Sequence, residues 1–180
     1  MALTRARPVS GPASLRVRVE AAVKDAIVRP HDRAKIAADV RDMRLRIEKE
    51  KATEDIWDLK QVRGGLVDIE FMTQYLQLIN ASARPDILEQ NTVQALRQLR
   101  SAELLSQHHA EILIPAARLL NNLTQVIRLC IQGPLVPESA PDGLKQLLAR
   151  AGEMPDFDRL QGELRRTLAE VAALFDAIVT

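Results

Sequence analysis

The chain is predicted to be all-α, an antiparallel bundle of about six or seven helices. Three observations lead there. Aromatic residues make up 3% of the sequence against 47% apolar residues, so the core must be built from Leu, Ile, Val and Ala, which favours packed helices over a β-sandwich. Apolar residues recur every three or four positions along most of the chain, which is helical spacing. No segment keeps a period-two alternation for long, so no sheet of consequence is expected. A length of 180 residues suits one domain, or at most two small ones.

The elements follow in order. Residues 1–7 read as the end of a helix. Pro8, Ser10, Gly11 and Pro12 form a breaker cluster, and Pro12 suits a first helical position, where its missing N–H costs nothing. Leu15, Val19, Val23 and Ile27 mark one face of a first helix, stopped by Pro30. Asp32 is a suitable N-cap for the second helix. Ile36, Val40, Met43 and Ile47 form its apolar stripe; Arg41, Asp42, Arg44, Arg46, Glu48, Lys49, Glu50 and Lys51 form the opposite face. Charge signs are mixed there, so that face reads as solvated.

Residues 52–63 connect to the next helix, and the composition changes abruptly at Gly64-Gly65. Trp57, Lys60 and Arg63 precede the glycines; Leu66, Ile69, Met72, Leu76 and Ile79 follow at helical spacing. This helix is expected from Leu66 to about Ala83, ended by the stretch around Pro85. Its opening N–H groups lack intrahelical partners and the dipole is positive there. The glycine entry with its flanking cations is therefore a candidate anion site.

Asn91 and Gln94 resemble a capping box. Ser106 can cap a long helix from about Gln107 to Ile131, with Ile112, Ala116, Leu119, Leu123, Ile127 and Cys130 as its buried stripe and a kink at Pro115. Cys130 is expected to pack as a small hydrophobe. Gln132 to Pro141 is a loop. A short helix then carries Leu144, Leu147 and Leu148, with Gly152 placed to end it. The last helix starts near Asp156, with Phe157, Leu160, Leu164, Val171, Leu174 and Ile178 as its stripe.

Charge and motif content narrow the chemistry. Basic and acidic residues number 25 and 24, a net charge of +1, so neither nucleic acid nor an anionic membrane is expected as a partner. One cysteine excludes an internal disulfide and metal sites built on several thiolates. With no long apolar run and no signal-peptide core, a soluble cytoplasmic protein is expected. His108 and His109 are adjacent and do not share a helical face. Asp68 and Glu70 point about 200° apart on a helix and cannot chelate one metal together. Asp156 and Asp158 open a helix, where the dipole favours acids anyway. No metal site and no catalytic residue is assigned. Glu70, Gln74 and Gln77 form a polar stripe beside the apolar one, and Asp68 can satisfy free N–H groups or pair with Lys60 or Arg63.

The run Lys60-x-x-x-Gly64-Gly65-Leu66-x-Asp68-Ile69-Glu70-Phe71-x-x-Gln74 resembles the signature in the helical domain of glutamine synthetase adenylyltransferases. A related Gly-Gly-Leu-Arg-Asp pattern occurs in the uridylyltransferases that modify PII. With Leu66 and Asp68, the run is similar to the adenylylating half of the adenylyltransferases. Ala2 to Arg7 resembles the last residues of that family's nucleotidyltransferase domain. The resemblance implies that residues 1–12 are the end of that domain plus a linker, and 13–180 a helical domain carboxy-terminal to it. It implies a parent enzyme that moves AMP from ATP, with magnesium, to a tyrosine of glutamine synthetase, under control of PII. ATP and magnesium would bind outside this segment, which lacks the family's Gly-Ser loop and would be inactive alone. Lys60, Arg63, Gly64 and Gly65 would meet nucleotide or the neighbouring catalytic domain, supported by Asp68, Glu70 and Gln74. The alternative is a non-catalytic interaction module that binds PII.

Overall fold

A computed structural model describes residues 1–51 and 53–180. Its seven α-helices are α1 (Ala13–Ile27), α2 (Arg33–Lys51), α3 (Leu66–Asn80), α4 (Thr92–Ser101), α5 (Gln107–Cys130), α6 (Asp142–Ala151) and α7 (Phe157–Ile178). Short 3-10 turns lie at Ala2–Arg5, Pro85–Ile87 and Pro137–Ser139. Among the described residues there is no strand. The all-α expectation holds.

The bundle is arranged around α3, which packs against α2, α4, α5, α7 and the N-terminal turn. Apolar residues lie nearly all round this helix, which is the pattern of a helix enclosed on every side. Ile69, Met72 and Tyr75 are completely buried, together with Leu96 and Leu99 of α4, Leu113 and Leu120 of α5, and Leu164 and Val171 of α7. The last residues of the chain close over α2 and α3. Arg41 donates to the Val179 carbonyl at 3.1 Å, and the Tyr75 hydroxyl donates to the Thr180 carbonyl at 2.9 Å while accepting from Arg33 at 3.2 Å.

Three caps fall where the sequence places them. Asn91 accepts from the Gln94 N–H at 3.1 Å, Ser106 from the His109 N–H at 3.1 Å, and Asp156 from the Arg159 N–H at 2.7 Å. The return arm of the Asn91 box is replaced: the Asn91 N–H donates to the Glu89 carboxylate at 3.0 Å. Gly152 ends α6 for reasons of space rather than handedness. Its φ is −90°, and a Cβ there would meet Leu160 Cδ1 at 2.5 Å. The left-handed residue is Glu153, at φ 57°.

Several apolar stripes face elsewhere than expected. In α1 only Ile27 is buried; Leu15, Val17 and Val19 are exposed. In α2 the buried line is Ala37, Val40 and Arg44, while Met43 is 46% exposed. The third helix ends at Asn80, whose carbonyl accepts from the Ala83 and Arg84 N–H groups in a closing turn. In α5 the buried residues are Ala110, Leu113, Ile114, Ala116, Ala117, Leu120 and Leu123, and the helix runs on through Pro115, whose ring is exposed. Cys130 lies exposed at the end of α5. The connector between α2 and α3 is folded into the core. Its Trp57 stacks on Phe157 at the start of α7, with ring centroids 5.2 Å apart, and Leu59 and Val62 are buried.

Candidate functional site

The entry to α3 is built from backbone shape first. Gly64 has φ +81°, and a Cβ there would sit 1.8 Å from the Leu168 carbonyl oxygen of α7. Only a residue without Cβ fits both the left-handed conformation and that approach. Gly65 is extended, but a Cβ would meet the carbonyl oxygens of Leu59 at 2.7 Å and Val62 at 2.8 Å. Two glycines are therefore needed for two different close approaches.

Those approaches satisfy the helix entry internally. The Gly65 N–H donates to Val62 at 2.8 Å, Leu66 to Leu59 at 2.9 Å, Val67 to Lys60 at 3.1 Å, and Asp68 to the Gly65 carbonyl at 3.1 Å. The Asp68 carboxylate reaches back and accepts from the Gly64 N–H at 2.5 Å. This is the reach of a capping box extended by one residue. The expected anion site at the free N–H groups is thus corrected: the opening donors of α3 already have partners, because the connector curls under the tip and Asp68 closes it.

Asp68 is also the centre of a charge cluster. It is completely buried. One of its oxygens takes Arg44 Nε, and the other takes Arg63 at 3.3 Å besides the Gly64 N–H. Arg44 is only 3% exposed and also donates to the Gln61 carbonyl at 3.2 Å; its Nη1 is buried with no partner among the described residues. Arg63 continues outward to Asp176 at 2.5 Å and lies over the Phe175 ring at 4.7 Å. The cluster so ties α2, the connector, α3 and α7 together.

The other expected residues fall on two surfaces. Lys60 is exposed; its carbonyl, not its ammonium, contacts the helix tip. Arg63 is partly exposed, beside the open Asp176. Glu70 and Gln74 lie on a different side of α3. Glu70 pairs with Arg5 of the N-terminal turn at 2.7 Å. Gln74 lines a groove among that turn, α2 and α3. The structure therefore gathers Arg63, Gly64, Gly65 and Asp68 into one unit and leaves Lys60, Glu70 and Gln74 outside it. Arg44 is the member the sequence reading placed wrongly, on the charged face of α2. A signal was present: 37, 40, 44 and 47 run at intervals of three, four and three, a helical line through Ala37, Val40 and Ile47.

A cavity of about 510 Å³ lies elsewhere, between α5, the α6–α7 turn and α7. Arg166 on its wall is gripped by Glu163 at 2.5 Å and Glu170 at 2.6 Å, contacts that raise the guanidinium pKa above its ordinary value. None of the double-glycine residues lines it. Among the described residues no three His, Cys, Asp or Glu side chains are placed to hold a metal ion, and no helix is long and apolar enough to cross a membrane.

Comparison with known proteins bears on the whole chain. A family model described as GlnD PII-uridylyltransferase matches residues 34–179. The chain is 46% identical over 179 residues to a bifunctional glutamine synthetase adenylyltransferase/adenylyl-removing enzyme of Rhodopseudomonas palustris strain TIE-1. It is 45% identical to the enzyme of that name from Bradyrhizobium diazoefficiens and 41% identical to that from Xanthobacter autotrophicus, again over 179 residues. Each match covers 99% of this chain but 18% of the relative's length. The resemblance carried by the double-glycine run is thus matched along nearly the entire sequence, and the chain belongs to the GlnD PII-uridylyltransferase family, in company with the bifunctional adenylyltransferases.

Proposed function

We propose that this chain acts as the helical support of adenylyl transfer within a longer bifunctional protein of the kind its relatives are named for. The observation that carries the reading is the identity of 46% across 99% of the chain to a bifunctional adenylyltransferase. The local chemistry is consistent with support rather than catalysis. Both Asp68 oxygens are engaged by arginines and a backbone N–H, and Glu70 is engaged by Arg5. With both oxygens bonded, the Asp68 carboxylate ties helices together rather than holding a metal on a triphosphate.

In this reading residues 1–12 belong to a preceding nucleotidyltransferase domain and its linker, and 13–180 form the support. ATP and magnesium bind that neighbouring domain, glutamine synthetase receives the AMP, and the setting is the cytoplasm. Lys60 and the outer edge of Arg63 meet the neighbour. The test is an exchange: the R. palustris protein with its matching segment replaced by this chain. Lys60→Ala in that protein should lower AMP transfer to glutamine synthetase by about tenfold with the fold intact. Unchanged turnover would remove Lys60 from the interface. The 180-residue chain given ATP, magnesium and glutamine synthetase should transfer nothing, and robust adenylylation by it would overturn the support role.

A second reading draws on the family description, which names PII. As an interaction module for PII, the chain would lose PII binding in Lys60→Ala while turnover was kept. The same variant therefore separates the two readings.

A further inference from the structure

The cavity between α5, the α6–α7 turn and α7 stands apart from the double-glycine unit. Ile112, Ala116 and Leu119 of α5 and Met154 of the turn give it apolar walls. Its charge is not balanced: Glu111, Glu153, Glu163 and Glu170 line it against Arg118 and Arg166, four carboxylates to two guanidinium groups. Arg118 is exposed, and Arg166 is already held by Glu163 and Glu170. Glu153 has no ion-pair partner among the described residues.

Two further features add acceptors to the acidic lining. Thr167 lines the cavity, is 5% exposed and bonds no protein group among the described residues. The threonines inside α3 and α5 turn their hydroxyls back along the helix: Thr73 donates to the Ile69 carbonyl and Thr124 to the Leu120 carbonyl, each at 2.7 Å. A helical threonine ordinarily makes that return. Thr167 does not, so its hydroxyl is left to whatever fills the cavity. Pro115 gives the second feature. It lines the cavity from inside α5 and has no N–H, so the carbonyl of Glu111, four residues earlier, loses its helical donor. Acceptors beside apolar walls, under a net negative charge, are complementary to a donor-rich cation on an apolar stem. A primary ammonium has three donors and no acceptor. A volume of about 510 Å³ suits a small molecule.

We propose that the cavity between α5, the α6–α7 turn and α7 binds a small aliphatic primary amine, whose ammonium donates to the Thr167 hydroxyl and the acidic wall. Its stem lies against the apolar side chains of α5. The site is independent of the support role, and its test needs no AMP transfer.

The probe is n-butylamine, titrated at neutral pH and low salt into the 180-residue chain and followed by methyl NMR. Shifts should gather on Ile112, Leu119 and Thr167 and saturate by about 50 mM. The uncharged n-butanol, of equal length, should bind at least about tenfold more weakly. Thr167→Val keeps the shape, removes the hydroxyl and should weaken butylamine binding about fivefold. Glu153→Gln should weaken it about threefold, an effect that fades as salt is raised. Pro115→Ala, which gives the Glu111 carbonyl its helical donor back, should also weaken it about threefold. Glu153 lies on an exposed turn, so Glu153→Gln keeps the test open should Thr167→Val disturb α7. No saturating shift at the three reporters overturns the site. Equal affinity for amine and alcohol overturns the cationic ligand. Shifts that none of the variants alters, or that spread evenly over exposed glutamates, are charge screening and overturn the site as well.

Discussion

Helices α1 and α3 have the same length, 15 residues, and both place apolar residues at helical intervals. Yet α3 has eleven buried residues and α1 has one. The difference teaches that periodicity reports an available face, not an occupied one. α3 is enclosed because α2, α4, α5 and α7 all reach it, whereas α1 packs chiefly against the N-terminal turn. Topology decides which face finds a partner, and polar ties at Asp68, Tyr75 and Gln77 then hold α3 in register.

The contrast is broken most severely at the helix entry. Gly64→Ala adds a methyl where the Leu168 carbonyl already stands and forces an alanine into φ +81°. The expected loss is about 4–5 kcal/mol or more, enough to abolish a cooperative urea transition followed by Trp57 fluorescence. A normal transition would show that α7 can withdraw from the tip.

Next comes the buried pair. Arg44→Ala leaves the Asp68 carboxylate enclosed with its main cation gone, and should cost about 3–5 kcal/mol. Replacing both partners, as Arg44→Met with Asp68→Leu, should recover part of that loss, because no uncompensated charge remains. A double variant that loses as much as its two singles added together would mean that Asp68 matters chiefly through the Gly64 N–H, independently of Arg44.

Smaller still is Tyr75→Phe, which removes the bond to the Thr180 carbonyl and the acceptor for Arg33. About 1 kcal/mol is expected, with faster amide exchange confined to the last residues of α7. Loss spread evenly over the bundle would contradict so local a role. At the other pole, Val17→Ser on α1 should change stability by no more than about 0.5 kcal/mol, since the side chain is 64% exposed. A larger loss would give α1 a partner within this chain.

What could be read in advance follows the same division. The all-α class, the caps at Asn91, Ser106 and Asp156, and the helix launched by Gly64-Gly65 all depend on local chemistry, and local chemistry is written in neighbouring residues. Asp68 with Arg63 was within reach for that reason, at a spacing of five. For Arg44 the line through Ala37 and Val40 signals burial, but its partner was not legible, because Asp68 lies 24 positions away. The anion site failed on the same ground: the carbonyls of Leu59, Lys60 and Val62 return to the helix tip through a loop whose path no periodicity describes. Cys130 and the α1 stripe failed because an apolar face and a burial partner are separate facts.

The grips of Arg5 on Glu70 and of Tyr75 on Thr180 lie five positions apart on one helix, an axial distance of about 7.5 Å. Tension applied between the two ends of the chain would thus meet α3 first and nearly at a single point. The first events under load would be the release of these two grips, with little strain carried into the interior. A tether attached at residues 1 and 180 should register small early yields before one large rupture.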